Sequence, residues 1–328
     1  MLKVRTLQKG DLENLVSYSH KMYPDRNLCF KDYINFWLSQ SADEINNCVV
    51  LVDEDNQIHG EVMSSSMKYY YNGEERESVW GFDLIVDEEL RKDGWGVDVL
   101  MYREGLFPTS FASGVAPLAL KIELKQGNTY LGFMQKYLRV VNPFWLINAL
   151  KGIIPLAKYP ENVRVGESSF KLLSKEQLPS LDTPYNKTLW EPARQLEFIK
   201  WRFFGGLHDY AFYKDVDSND YFVIRTIKYK HLTMALLVDF RCDVSQCDSI
   251  NRIFIAAEQV VKRIHIPFLI TGSSLATVDQ IVRQRKYVKI GHEGHILGFI
   301  DVKNKKEDIT SRNFAFVTMA DSDCETDL

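Results

Sequence analysis

The segment from Leu84 to Gly96 gives the strongest indication of a ligand-binding site in this sequence. It reads as a β-strand, then a turn with the spacing R-x-x-G-x-G from Arg91 to Gly96, then a helix. Such a turn presents main-chain N–H groups to an anion at the positive end of a helix dipole, and its glycines let the backbone approach a phosphate closely. The segment therefore predicts a site for a diphosphate-bearing cofactor, with an ordinary strand-to-helix turn as the alternative.

Two other glycine-rich phosphate motifs fit this segment poorly. A dinucleotide-binding turn has the spacing G-x-G-x-x-G and an acidic residue about 20 positions later. Here a single Gly-x-Gly, Gly94 and Gly96, follows an arginine and a meander of strands. A P-loop needs the sequence Gly-Lys-Ser/Thr, which is absent from the chain.

The composition is that of an ordinary globular protein, with 328 residues of which 45% are hydrophobic and 26% charged. The formal net charge of -4 gives no electrostatic case for nucleic-acid binding. The five cysteines are scattered, and no apolar run reaches the ~18 residues that span a bilayer. His292 and His295 come nearest to a metal pair but lack a third ligand, so no metal is expected. The first residues favour a strand over a signal peptide, and we expect a cytoplasmic protein without membrane or nucleic-acid partners.

The order of the predicted elements divides the chain into two halves. Residues 1–145 read as a strand, two helices, an antiparallel meander with a hairpin at Asn72-Gly73, the helix after the glycine turn, a strand at 118–124 and a helix through 131–138. Residues 146–160 read as a linker with one apolar helix, and residues 161–328 repeat the order loosely. In this second half we predict strands at 163–172, 210–216, 221–229, 232–240, 267–271 and 313–319, and helices at 188–204, 249–264 and 275–284. We therefore predict an α/β protein of the α+β type, with two tandem halves of mixed, mostly antiparallel sheet flanked by helices.

The strand Leu84-Ile85-Val86 and the turn after it resemble the signature of the GNAT (Gcn5-related N-acetyltransferase) superfamily. A second element of that family, a strand followed by an asparagine that opens a helix, is matched by residues 118–124 and Asn128. The whole chain resembles a two-domain subgroup whose second, degenerate half has lost the cofactor turn. Its members include N-acyltransferases that act on dTDP-linked amino deoxysugars.

The resemblance implies one acyl-CoA site, in the first half. It places Leu84 and Val86 along the pantetheine arm, Asn128 beside that arm, and the phosphates against the turn formed by Arg91, Lys92, Asp93, Gly94, Trp95, Gly96 and Val97. Asp83, and Glu123 on an expected neighbouring strand, are the candidate bases that deprotonate an acceptor amine, with a water relay as the alternative. The usual tyrosine acid of the family is missing from its position, and Tyr137 is a substitute candidate. The implied acceptor-binding residues are Trp201, Arg202, Asp321 and Asp323.

These assignments predict an enzyme that moves an acyl group from acyl-CoA to the amine of a nucleotide-linked amino deoxysugar. Two other classes of protein stay open. An aminoacyl-tRNA-dependent peptide-bridge transferase should have a basic groove or a coiled-coil arm, and the sequence shows neither. A non-catalytic acyl-CoA-binding module is separated from an enzyme by an assay of thiol release.

Overall fold

The computed structural model describes residues 1–26, 28–147, 151, 157–181, 186–229, 232–299 and 313–321. Strands of the first half are β1 (Lys3–Thr6), β2 (Val49–Val52), β3 (Ile58–Tyr71), β4 (Glu74–Val86), β5 (Ser110–Val115) and β6 (Thr129–Val140). Its helices are α1 (Leu12–Met22), α2 (Phe30–Trp37), α3 (Glu88–Arg91), α4 (Trp95–Gly105) and α5 (Pro117–Lys125). Asn72 and Gly73 both have positive φ angles and form the predicted tight turn between β3 and β4.

The second half supplies the remaining elements. Its strands are β7 (Asn162–Val165), β8 (Ser168–Leu173), β9 (Glu191–Pro192), β10 (Tyr210–Asp215), β11 (Tyr221–Tyr229), β12 (Leu232–Arg241), β13 (Phe268–Ser273) and β14 (Val288–Phe299). Its helices are α6 (Leu196–Phe204), α7 (Cys247–Arg263) and α8 (Ala276–Gln284). The predicted meander of β10, β11 and β12 is confirmed, and so are α7, β13 and α8.

The described strands form one 14-stranded sheet in which the two halves exchange strands. The order along the sheet is β1-β2-β3-β4-β5-β14-β6-β13-β12-β11-β10-β8-β7, with β9 paired to β3. Strand β14 lies between β5 and β6, and β6 in turn pairs with β13. Strand pairing therefore crosses the predicted boundary at residue 145, since β14 lies among strands of the first half and β6 pairs with β13 of the second. Apart from this exchange and β9, the first-half strands lie toward one end of the sheet and the second-half strands toward the other.

Helices cover both faces of the sheet in the first half. On the face that we call the α2 face, α1 and α2 pack against side chains that include Val50 and Val52. On the opposite face, which we call the α4 face, Val99 of α4 packs against Val49 and Leu51. Successive residues of β2 thus point to opposite faces, as the pleat of a strand requires.

A gap opens between the parallel strands β4 and β5. Their pairing consists of Val79 with Ser110 and Trp80 with Phe111. Beyond those pairs β4 carries a β-bulge, because Asp83 and Leu84 together lie opposite a single residue of β3. Asp83 has a φ of 52°, which is strained backbone for a residue other than glycine. The bulge bends β4 and leaves the space between residues 81–84 and 112–115 open.

The elements between residues 117 and 140 contradict the predicted order. Residues 118–124, predicted as a strand, lie in helix α5, and the predicted helix at 131–138 is strand β6. Pro117 occupies the first turn of α5, where its fixed φ suits a helix and its missing N–H is not needed. Strand β6 is paired on both sides, by β13 and β14, and these tertiary contacts decide its conformation. Glu123 therefore lies on a helix, and Asn128 precedes a strand.

Four further predictions differ from the structure or concern residues outside its described ranges, and one strand was not predicted. Residues 163–172 form the β7–β8 hairpin rather than one strand. The helix predicted at 188–204 is shorter, since α6 covers only residues 196–204. Residues 313–319, predicted as a strand, contribute isolated bridges at Ala315 and Thr318. Strand β14 was not predicted. Most of the predicted apolar linker helix, residues 148–150 and 152–156, lies outside the described residues.

Candidate active site

The turn between β4 and α4 has the geometry of an anion site. Gly94 has a φ of 88° and directly precedes α4, so the chain enters the helix through a conformation that favours glycine. The first N–H groups of a helix, here those of Trp95 and Gly96, have no intrahelical acceptor. Arg91 is anchored by a hydrogen bond of 2.8 Å from its Nε to the carbonyl oxygen of Val86. This bond ties the Arg91 side chain to the end of β4, and Arg91 lines one cavity together with Gly96 at the half-buried start of the helix.

The structure narrows the set of residues predicted for this turn. The N–H groups of Asp93, Gly94 and Val97 donate to main-chain carbonyls of the turn itself, at 2.8 to 3.3 Å. The side chains of Lys92 and Asp93 are exposed, while that of Trp95 packs on the core of the α4 face. Backbone donors for a phosphate are thus concentrated at the first two residues of α4.

A cavity of about 390 Å³ leads inward from this turn, and we call it the slot. It runs between α4 and α5 over the outer end of β4, and it is lined by Leu84, Ile85, Val86, Arg91, Gly96, Val97, Leu100, Ala116, Leu118, Ala119 and Ile122. Its walls are almost entirely apolar. This lining suits an extended arm of methylenes and amides, with β4 available along one side.

The slot continues into a second cavity of about 350 Å³ at the gap, which we call the chamber. Leu84, Leu100, Ala116 and Ala119 line both spaces. The chamber extends between residues 81–84 of β4 and 112–115 of β5. A path therefore runs from the anion site to the middle of the sheet, where the two strands have separated.

Asp83 lines the side of the chamber that adjoins the α2 face. Its carboxylate accepts two hydrogen bonds from Arg26, at 2.6 and 3.0 Å, and one of 3.1 Å from the hydroxyl of Tyr33 on α2. The preceding residue, Phe82, also points to this face, since its ring lies 4.5 Å from that of Trp37. Neighbouring residues of a regular strand would point to opposite faces, so the bulge is what directs Asp83 toward α2.

Glu123 lines the chamber from helix α5. Its side chain is 5% exposed, and its Oε2 accepts a hydrogen bond of 2.6 Å from Asn128. Burial, and next the nearby charge of Glu104, raise the pKa of Glu123 to about 7, while Arg103 acts in the opposite direction. Glu123 therefore changes protonation near neutral pH, which suits a group that gives or takes a proton.

Arg103 on α4 also reaches the chamber, and the sequence reasoning missed it. It is 2% exposed, and its guanidinium lies against Gly81 of β4. Within the described residues its Nε and Nη1 have no hydrogen-bond partner, and Nη2 lies 3.9 Å from Oε1 of Glu104. The sequence did contain a signal for it. Arg103 follows Val99 by four positions and Leu100 by three, so it lies on the same face of α4 as these two buried residues.

Two of the predicted first-half residues lie elsewhere. Asn128 does not line the slot or the chamber; its Nδ2 bridges the carboxylates of Glu104 and Glu123, so it orients Glu123. Tyr137 lies on β6 within the core of the second half, and its pKa is raised by burial and by Asp279. Tyr137, the candidate acid, therefore does not line the slot or the chamber, and the helix on which it was predicted to lie is a strand.

Three of the predicted acceptor residues, all in the second half, are packed against other parts of the protein. Trp201 stacks on Phe36 at 4.9 Å and donates to its carbonyl oxygen. Arg202 is fully buried, and its Nε donates to the carbonyl of Ala320. Asp321 is 1% exposed and pairs with Arg194 at 2.6 Å, so it is not a solvated tail residue. Asp323 lies outside the described residues.

No metal centre or membrane-crossing element is found in the described ranges. They contain no group of three or more His, Cys, Asp and Glu side chains placed to hold an ion. His295 packs its ring near Tyr130 instead. None of the helices in these ranges is both long and apolar enough to cross a bilayer.

Comparison with solved structures places this geometry in a known fold. A GCN5-related N-acetyltransferase from Anabaena variabilis is similar at a TM-score of 0.61 and 11% identity, covering 91% of this chain and 72% of that one. Saccharomyces cerevisiae N-myristoyltransferase with bound myristoyl-CoA is similar at 0.62 and 12%, covering 96% and 89%. A probable N-acyltransferase from Enterococcus faecalis is similar at 0.56 and 11%, covering 91% and 72%. No protein-family model and no curated protein matches the sequence.

The chain has the GNAT fold. The similarity extends over both halves, since each of these matches covers at least nine-tenths of the chain. The predicted fold class is therefore confirmed. In the GNAT fold of this chain, the Arg91–Gly96 turn, the slot and the chamber lie in sequence along one side of β4.

Proposed function

We propose that this protein is an acyl-CoA-dependent N-acyltransferase. The observation that carries the proposal is the continuous path from the helix start at Trp95 and Gly96, through the slot, to a chamber with a carboxyl group on each side. The helix start suits a diphosphate, the apolar slot suits a pantetheine arm, and the gap exposes a thioester to attack. The two solved N-acyltransferase structures with a similar fold support the same reading.

The two sides of the chamber suit the two reactants. The acyl-CoA enters along α4 and α5, so its thiol leaves on the side of Glu123. The acceptor amine then approaches from the other side of the gap, where Asp83 is held by Arg26 and Tyr33. Asp83, as a carboxylate, binds the ammonium group and accepts its proton, directly or through water.

The reaction has a simple balance of bonds and protons. The nitrogen lone pair forms a C–N bond to the thioester carbon, and the C–S bond breaks as the tetrahedral intermediate collapses. Two protons leave the ammonium nitrogen, one toward Asp83 before the attack and one to water as the intermediate collapses. Glu123 in its protonated form gives a proton to the departing thiolate, since its pKa of about 7 keeps much of it protonated at neutral pH. The products are an amide, free CoA and one proton that is released to solvent once Glu123 has been reprotonated.

For the acceptor, we propose the amine of a nucleotide-linked amino deoxysugar, as the resemblance implies. Trp201 and Arg202 hold the second half against α2, the helix that also carries Tyr33. The main-chain carbonyl of Asp321 accepts a hydrogen bond from Ser113, which lines the chamber. The second half therefore shapes the acceptor side of the chamber through packing and hydrogen bonds. Direct contacts from Arg202 or Asp321 to the sugar would require these side chains to break their buried interactions.

The test is thiol release from acyl-CoA in the presence of amines. Acetyl-CoA and myristoyl-CoA serve as donors, and dTDP-linked amino sugars, simple amines and a glycine-terminated peptide serve as acceptors. We expect amine-dependent release of CoA, and a fall in kcat of about 10²–10⁴ for Asp83→Asn, with Asp55→Asn on an exposed hairpin as the matched control. Binding of acyl-CoA without release for any amine would favour the non-catalytic module, and absence of binding would refute the proposal.

A further inference from the structure

Arg103 is an unusual buried cation, because two of its three donor nitrogens have no acceptor among the described residues. Its guanidinium is 2% exposed, and its Nε and Nη1 have no partner among the described residues. The nearest carboxylate oxygen, on Glu104, lies 3.9 Å from Nη2, which is beyond an ordinary hydrogen bond. Buried N–H groups without an acceptor are costly, so these donors indicate a partner that arrives with a ligand.

The position of Arg103 indicates which ligand atom it meets. The residue lines the chamber together with Gly81, Leu84 and Glu123. From Val86, where Arg91 is anchored, to Gly81 the strand covers five residues, or at most roughly 16 Å, because the bulge at Asp83 shortens the extended chain. An extended pantetheine arm has a comparable length, so a thioester whose diphosphate lies at the turn reaches the level of Arg103.

Gly81 allows the guanidinium to take this position. A Cβ atom added at residue 81 would lie 2.8 Å from Nη2 and 3.0 Å from Cζ of Arg103. Any side chain there would displace the guanidinium from β4. The pair of Gly81 and Arg103 therefore forms a built site, in which the strand leaves room for the cation inside the gap.

We propose that Arg103 is a catalytic residue that binds the thioester carbonyl oxygen and stabilises the oxyanion formed from it. This inference rests on the proposed function. When the amine nitrogen bonds to the carbonyl carbon, the π electron pair of the carbonyl moves onto oxygen, and Arg103 donates hydrogen bonds to that negative charge. When the pair returns, the C–S bond breaks and the thiolate leaves toward Glu123. Arg103 keeps its own protons throughout, as a guanidinium does at neutral pH.

The local charges agree with this role. Glu104 lies nearest to Nη2, at 3.9 Å, and partly balances the charge of the guanidinium. The carboxyl of Glu123 is partly neutral near pH 7, since burial and Glu104 raise its pKa to about 7. The positive charge of Arg103 is therefore available to an oxygen that becomes negative only during the reaction, which lowers the barrier without tight binding of the substrate.

The experiment compares Arg103→Met and Arg103→Lys with the wild-type protein. Acetyl-CoA affinity is measured by calorimetry, folding by thermal melting, and kcat by thiol release with the best amine. We expect Arg103→Met to bind acetyl-CoA within about twofold of wild type while kcat falls by about 10²–10³, as for loss of an oxyanion donor. Arg103→Lys keeps the charge but cannot place a donor at Nε, and we expect an intermediate kcat.

Gly81→Ala tests the same contact without removing the arginine. We expect it to lower kcat in the wild-type background and to have no further effect in Arg103→Met, as two changes to one interaction do. An equal effect of Gly81→Ala in both backgrounds, or a kcat for Arg103→Met within about fivefold of wild type, would overturn the inference and leave the proposed function standing. If Arg103→Met fails to fold, Arg103→Lys and Gly81→Ala decide. A wild-type protein that neither binds nor turns over acyl-CoA refutes the proposed function, and this inference with it.

Discussion

The substitution Glu123→Gln removes a proton from the chamber with little change in shape. Glutamine keeps the side-chain volume and an oxygen that can accept from Asn128. Burial, with the charge of Glu104, raises the pKa of the Glu123 carboxyl from an ordinary 4.5 to about 7 in the folded protein. A difference of that size corresponds to about 3 kcal/mol in the free energy of unfolding.

The sign of this effect follows from which state holds the proton more tightly. Since the folded-state pKa of Glu123 is the higher one, its contribution to stability is complete below pH 4.5 and is lost as pH rises through 7. We expect the wild type to lose about 2.5 kcal/mol relative to Glu123→Gln between pH 5 and pH 8. The variant should therefore become the more stable of the two at pH 8, while its kcat falls.

Urea unfolding of both proteins at pH 5, 6, 7 and 8 gives the free-energy difference directly. Glu104→Gln is the matched second variant, because it removes the charge that helps to raise the pKa of Glu123. We expect it to shift the loss of stability to lower pH. In thiol-release assays the wild-type kcat should decline above about pH 7, as the proton donor is lost. A difference between wild type and Glu123→Gln that is the same at pH 5 and pH 8 would refute the reasoning.

Two further predictions concern the cofactor turn and the strand exchange. Gly96→Asp should weaken CoA binding by about 10- to 100-fold in calorimetry, since a carboxylate at the helix start repels the diphosphate. Gly96→Ala should bind normally because its Cβ meets only Val86, at 3.9 Å; Gly94 is a poorer choice, since its positive φ adds strain to any substitution. Residues 1–145 expressed alone should fail to fold by circular dichroism, because β14 fills the place between β5 and β6, and co-expression with residues 146–328 should restore folding. A stable isolated first half would contradict this account of the sheet.

Local sequence determined the elements whose conformation depends on near neighbours. The turn from Leu84 to Gly96 was predicted because a strand pattern, a glycine before a helix and an arginine lie within 13 residues. The hairpin at Asn72-Gly73 was predicted because both residues accept positive φ. The apolar helix α7 was predicted from its period alone. In each case the decisive physical preference acts within a few residues of chain.

Residues 118–140 show where local patterns give the wrong answer. The alternation of leucine and isoleucine with polar residues at 118–124 fits a strand, but α5 forms there with Pro117 in its first turn. Strand β6 forms because β13 and β14 supply hydrogen bonds on both sides, from partners about 130 to 170 positions away along the chain. Pairing over such distances leaves no signal within a short window of sequence.

From the sequence alone, the turn after β4 was predicted to bind a phosphate, and Asp83 and Glu123 were predicted as candidate bases. The folded structure was needed to show that a bulge turns Asp83 toward α2, that Glu123 lines the same chamber from a helix, and that Arg103 lines it too, with two donor atoms that have no acceptor among the described residues. The physical reason is that the properties of these groups depend on burial and on partners from distant segments. A carboxyl acquires a pKa of about 7, and an arginine acquires unused donors, only when the folded chain excludes water from both.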